Sequence, residues 1–110
     1  MNDCIFCKII NGEIPSKKVY ENDKVIAFHD VNPIAPVHIL VIPKKHYKCL
    51  MDVADSEMDI IAEIHKAIKV ITKEQNIDES GFRIINNCGP DANQVVHHIH
   101  YHILGGKKLD

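Results

Sequence analysis

The chain has 110 residues, 45% of them hydrophobic, which is material for one globular domain, 1–110, with one modest core and no room for a second. Basic and acidic residues nearly balance, 13 against 15 with no run of one sign, so nothing favours a nucleic-acid backbone or an anionic membrane as partner, and any phosphate recognition must be local. No stretch approaches the roughly 18 apolar residues of a membrane span, and Met1 to Cys7 lacks the basic segment and apolar run of a targeting signal. The expectation is a cytoplasmic protein whose cysteines, Cys4, Cys7, Cys49 and Cys88, are reduced rather than paired.

In chain order, Ile5 to Ile10 reads as a short helix that stops at Asn11-Gly12, both tolerant of positive φ. Lys18 to Glu21 and Lys24 to Phe28 flank Asn22-Asp23 and predict a hairpin. Asp30 to Pro36, with its prolines, is a loop into a third strand over residues 38–42 that stops at Pro43. Residues 55–75 hold the clearest helix: Met58, Ile61, Ile64, Ile68 and Ile71 recur at spacings of three and four, and Ile60 and Ala67 widen the stripe. Asp55 or Ser56 can cap its start, and Lys73 suits the negative end of its dipole. Residues 82–87 read as a fourth strand and Val95 to Gly106 as a fifth. The expected fold is α+β: a five-stranded, mostly antiparallel sheet with one long helix and a short N-terminal helix.

The fifth strand carries the chemistry. His98, His100 and His102 alternate with Ile99, Tyr101 and Ile103, the period of a strand, so three imidazoles project from one face about 6 to 7 Å apart while His97 points the other way. A metal-binding or merely solvated strand is the bland reading; strict alternation of three, ended by Gly105-Gly106, favours imidazoles lined up along a phosphate chain. Histidine is a plausible nucleophile at neutral pH, because its ordinary pKa near 6.5 leaves much of it with a free lone pair. The loop from Asn87 to Gln94 has a composition that lets backbone N–H groups converge on an anion, although taken alone it is only a turn.

The run His98 to Leu104 fits His-φ-His-φ-His-φ-φ, with φ apolar, and so resembles the signature of the histidine triad family. The likeness extends to C-I-F-C-K-I-I-N-G-E-I-P-S, to V-I-A-F-H-D-V-N-P-I-A-P-V-H-I-L-V-I-P-K-K-H and to N-N-C-G-P-D-A-N-Q, nearly the whole chain, and the Gly-Gly after the triad is similar to the Hint branch rather than the Fhit branch. The resemblance implies a nucleotidyl-histidine intermediate on His100, with His102 and His38 hydrogen-bonding the phosphate and leaving group. It implies further that Asp30 accepts the ribose hydroxyls and that Phe6, Ile9, Phe28, Val31 and Leu40 form an apolar slot for a purine, although all five would be ordinary core on composition alone. Asn87 would contact ribose or phosphate, and the backbone around Asn93 and Gln94 would cradle the α-phosphate. The chain departs from the Hint pattern at Asn93, where glycine is common, and at Val95, where a serine often contacts the phosphate or leaving group; the missing hydroxyl bears on leaving-group protonation. His29, His65 and His97 receive no role.

Cys4 and Cys7 form C-x-x-C, which reads as a zinc half-site, a redox motif or two uninvolved thiols; no strand precedes it, and His46 offers a third ligand. By resemblance to bacterial-type relatives the set closes with His98 as a structural zinc site on Cys4, Cys7, His46 and His98, with no organic cofactor. The expectation is therefore a homodimeric, Hint-like hydrolase that releases a nucleoside monophosphate, AMP or GMP, from a phosphoramidate. Hydrolysis of dinucleoside polyphosphates and a nucleotide-binding interaction protein with vestigial hydrolysis are the rivals.

Overall fold

Lys18–Glu21 and Val25–His29 pair as β1 and β2 of a hairpin whose corner is made by one side chain: Asn22 Oδ1 accepts the N–H groups of Lys24 and Val25 at 2.9 and 2.8 Å. In the computed structural model, which describes residues 4–110, the strands that follow are β3 (Val37–Pro43), β4 (Phe82–Ile85) and β5 (Tyr101–Gly105). Met1 to Asp3, the start of the stretch searched for a targeting signal, lie outside the described residues. The sheet runs β1-β2-β3-β5-β4 and every neighbouring pair is antiparallel. Among the described residues no helix is long and apolar enough to cross a membrane.

Two-residue alternation along the central strands sends side chains into separate clusters on the two faces. Val25, Ala27, Ile39, Val41, Tyr101 and Ile103 meet Ile64, Ala67, Ile68 and Ile71 of α2 (Asp59–Glu74). Ile26, Phe28, Leu40 and Ile42 face the other way and meet Phe6 of α1 (Ile5–Ile10). The short helix thus covers the face opposite the long one, and the functional side chains emerge on its side. Truncating Ile39 or Ile103, both fully buried, to alanine removes core contacts worth about 2–5 kcal/mol.

The short helix ends as expected, with one refinement. Asn11 stays right-handed at φ −82 and only Gly12 adopts positive φ, at +78. The N–H groups of Gly12 and Glu13 then reach back to the carbonyls of Ile9 and Lys8 at 3.1 and 2.8 Å, which satisfies the last turn. The long helix departs further, starting at Asp59 rather than residue 55 and lacking a side-chain cap. Asp55 and Ser56 instead lie in a 3₁₀ turn, Asp55–Glu57, that runs on through a right-handed Met58, so that carbonyls of the preceding turn do the work of a cap. Its end is closed by Asn76 at φ +60, with Ile77 N–H donating to the Thr72 carbonyl at 3.0 Å.

The last two strands are shorter than the alternation predicts. β4 ends at Ile85 rather than residue 87, and β5 begins only at Tyr101, so His98 and His100 precede the strand and only His102 lies in it. The pairing explains this: Val41 stands opposite Tyr101, so Ile99 would fall opposite Pro43, which has no N–H to give. Other partners take the backbone groups. Ile99 N–H donates to the Tyr47 carbonyl at 2.7 Å, and the Asn86 amide donates to the His100 carbonyl at 2.9 Å. The Gly-Gly terminus of the motif is a close approach, since a Cβ on Gly106, at φ +90, would stand 2.9 Å from Pro36 Cβ.

Candidate functional site

Leu40 sits directly opposite Phe28 on one side and His102 on the other, and stepping two residues from it and from Phe28 adds His38 and Asp30 to the same face. These side chains touch. His38 Nδ1 accepts the Ile34 N–H at 3.2 Å, so in the neutral ring the proton is on Nε2, 2.9 Å from His102 Nδ1 and 3.4 Å from Asp30 Oδ2. His102 Nδ1 is then the acceptor, and its own proton is on Nε2. Asp30 is braced in turn by the Asn32 N–H, which donates to Oδ1 at 2.7 Å.

His100 has the opposite tautomer. Its Nδ1–H donates to the His98 carbonyl at 2.8 Å, which leaves the lone pair on Nε2. The ring lies 5.1 Å from that of His102, centroid to centroid, and Phe6 stands edge-on to it at 5.2 Å. Burial holds the His100 pKa below its ordinary 6.5, partly offset by the bond to the His98 carbonyl. Burial likewise lowers His38, and it lowers His102 to about 4 with further push from the charges of His100 and His38. All three imidazoles are therefore neutral near pH 7, one presenting a lone pair and its neighbour an N–H.

Of the five residues expected in the apolar slot, Phe6, Ile9, Phe28 and Leu40 share one cluster, whereas Val31 stands apart at 90% exposure. The loop at Asn87 to Gln94 is closed from within. Asn93 N–H donates to the Pro90 carbonyl at 3.0 Å and Gln94 N–H to the Gly89 carbonyl at 3.1 Å. The Gln94 side chain, buried, accepts Gly89 N–H at 2.9 Å and donates to the carbonyls of Lys48 and Val96 at 2.7 and 3.0 Å, so this residue is a staple of the loop. Asn93 is left-handed at φ 60, which asparagine adopts at little cost, so its departure from glycine leaves the backbone path available. Val95 is 83% exposed. Sequence reasoning overlooked Asn86, whose only local signal is the Asn-Asn pair after a strand; losing its amide strands a partly buried carbonyl at a cost of about 1–3 kcal/mol.

Cys4, Cys7, His46 and His98 converge with their ligand atoms all within 4.8 Å of one another. Cys4 Sγ lies 3.3 Å from His98 Nδ1, Cys7 Sγ 3.4 Å from His46 Nδ1, and the two Nδ1 atoms are 3.1 Å apart. A tetrahedral zinc with metal–nitrogen bonds of about 2.0 Å and metal–sulfur bonds of about 2.3 Å has edges of about 3.3–3.8 Å, so the set is close to the size of that ion. The donor chemistry agrees. His98 Nε2–H donates to the Pro43 carbonyl at 2.9 Å, which turns the Nδ1 lone pair to the cluster, and burial drives its pKa to about 4. Cys4 caps α1 and accepts the Cys7 N–H at 3.3 Å, which fixes its sulfur beside the other three ligand atoms.

A family model described as the HIT domain matches residues 11–109. A histidine triad protein from Clostridium difficile superposes with a TM-score of 0.97 at 64% identity, over 100% of this chain and 96% of that one. A HIT family hydrolase from Clostridium thermocellum gives 0.97 at 45% identity, over 100% and 96%. A histidine triad nucleotide-binding protein from Candida albicans gives 0.85 at 38%, over 98% and 84%. Among curated sequences, a 14 kDa zinc-binding protein from Brassica juncea is 46% identical over 110 residues, covering 98% of this chain and 96% of its own.

Proposed function

The chain belongs to the histidine triad family, and from that premise we propose that it is a Hint-like hydrolase that cleaves a purine nucleoside phosphoramidate to the nucleoside monophosphate and an amine. The observation that carries the reading is the opposed tautomers of two touching, neutral imidazoles, His100 with its Nε2 lone pair and His102 with its Nε2–H. The His100 lone pair attacks the α-phosphorus, the P–N bond breaks, and the departing nitrogen leaves with the bonding pair and takes a proton. The resulting phosphoimidazolium keeps its Nδ1–H on the His98 carbonyl, which stabilises the positive ring until water attacks phosphorus and frees the nucleotide. His102 Nε2–H is the donor for the phosphate and leaving group. His38 has protein partners at both nitrogens and so acts through His102. Asp30 takes the ribose hydroxyls, Phe6, Ile9, Phe28 and Leu40 flank the base with Val31 as an outer lip, and Asn87 with the backbone at Val95 meets the sugar and phosphate, the N–H groups of Asn93 and Gln94 being held within the loop. The Candida albicans and Clostridium thermocellum relatives support nucleotide binding and hydrolysis respectively. Steady-state comparison of an AMP phosphoramidate with a diadenosine polyphosphate tests the substrate class. The expected kcat/KM ratio favours the phosphoramidate by at least about tenfold; the reverse order, or no turnover of either, contradicts the reading.

Cys4, Cys7, His46 and His98 would hold one zinc as a closed four-ligand site, where the ion fastens α1 to the strands and takes no part in the reaction. The zinc-binding relative from Brassica juncea supports it. Elemental analysis of protein purified without chelator is expected to find close to one zinc per chain. Less than about a tenth of an equivalent in a folded sample would remove the site.

The reading also makes the protein a homodimer in a cytoplasmic, thiol-reducing setting. β4 is an edge strand that leaves Phe82 and Ile84 more than one-third exposed, and pairing with a second copy would cover them and join two sheets into one. Sedimentation at micromolar concentration should return twice the chain mass, and a monomer mass rules the dimer out.

A further inference from the structure

Two thiols outside the metal cluster meet where the Asn87 to Gln94 loop leans on the segment that follows His46. Cys49 and Cys88 are near enough for each thiol to shift the acidity of the other, and both are only partly buried. Their proximity is built in. The buried Gln94 amide grips Gly89 N–H with one end and the Lys48 carbonyl with the other, and these are the immediate chain neighbours of Cys88 and Cys49. One side chain therefore holds the two cysteine-bearing backbones together.

We propose that Cys49 and Cys88 are a redox-active dithiol, which a hydroperoxide closes to a disulfide that ties the loop to the segment after His46. The two sulfurs differ. The neighbouring Cys49 thiol lowers the Cys88 pKa, and backbone groups of Met51 and Leu50 lower it further against the opposing effect of burial. The same thiol contact and burial raise Cys49, whose Sγ stands 3.6 Å from Asp52 Oδ2. Cys88 is thus the attacking sulfur and Cys49 the resolving one. The Cys88 thiolate attacks one peroxide oxygen, the O–O bond breaks, and the released hydroxide takes a proton to become water, leaving a sulfenic acid. Cys49 gives up its proton, its sulfur attacks Cys88 sulfur, and hydroxide departs and is protonated. Two thiols and one hydrogen peroxide become one disulfide and two waters.

The test uses the full chain with its metal, treated with hydrogen peroxide, alkylated and mapped by mass spectrometry. The expected product lacks two hydrogens, carries a peptide pair joined through Cys49 and Cys88, and reverts with dithiothreitol. Cys49→Ser should stop at a sulfenic acid on Cys88 that dimedone traps, and Cys88→Ser should slow oxidation of Cys49 by at least about tenfold. A disulfide confined to Cys4 and Cys7, a crosslink between two chains, or unchanged alkylation of Cys49 and Cys88 overturns the proposal. None of these readouts depends on nucleotide hydrolysis.

Discussion

His100→Ala is expected to abolish hydrolysis, by about 10⁴-fold or more in kcat, while nucleotide affinity changes by less than about tenfold. The reason is the distribution of lone pairs. His98 gives Nε2–H to the Pro43 carbonyl and turns Nδ1 to the cysteines, and His102 takes a hydrogen bond on Nδ1 and has its proton on Nε2. Of the three triad histidines, only His100 presents a ring nitrogen with neither a proton nor a hydrogen-bond partner among the described residues. Removing the ring would take away the proposed attacking atom and leave in place Asp30, Phe28 and Leu40, the proposed contacts of sugar and base. Equilibrium titration with AMP alongside single-turnover kinetics separates the two effects. Wild-type turnover, or a loss confined to affinity, defeats the assignment.

His102→Ala should slow the reaction by about 10²- to 10⁴-fold without eliminating it, the usual range for loss of a positioned proton donor or of a hydrogen bond that strengthens in the transition state. Its Nδ1 is occupied by His38, whose own Nδ1 is fixed by the Ile34 N–H, so the chain of bonds determines which nitrogen of His102 carries the proton. His102→Asn restores a donor in a similar place and should recover part of the rate. A variant as inactive as His100→Ala, with no recovery by asparagine, would make the ring an obligatory acid rather than a donor.

What could be read from the sequence was what repeats or caps locally. The bounds of α1 match the residue range expected, the hairpin at Asn22 and the buried stripe of α2 are where periodicity puts them, and the four metal-type ligands expected from spacing and resemblance converge. Elements that depend on contacts far along the chain were out of reach. β5 starts late because of a proline on β3, fifty-eight residues before Tyr101. The opening of α2 is set by a 3₁₀ turn rather than by a side-chain cap, and no residue preference marks that choice. Gln94 and Asn86 bind backbone groups of Lys48 and His100, and a long-range bond from side chain to backbone leaves no period to find. Val31 would be core by composition and part of the slot by resemblance, and the turn after Asp30 keeps it out of the core.

The most direct measurement of the account is rapid quenching of the wild-type protein with a radiolabelled AMP phosphoramidate, followed by peptide mapping of the acid-labile adduct. The account predicts that AMP is captured on Nε2 of His100, within one turnover and in nearly stoichiometric yield. An adduct on His98 or His102, or release of AMP with no captured intermediate at any time, would contradict it.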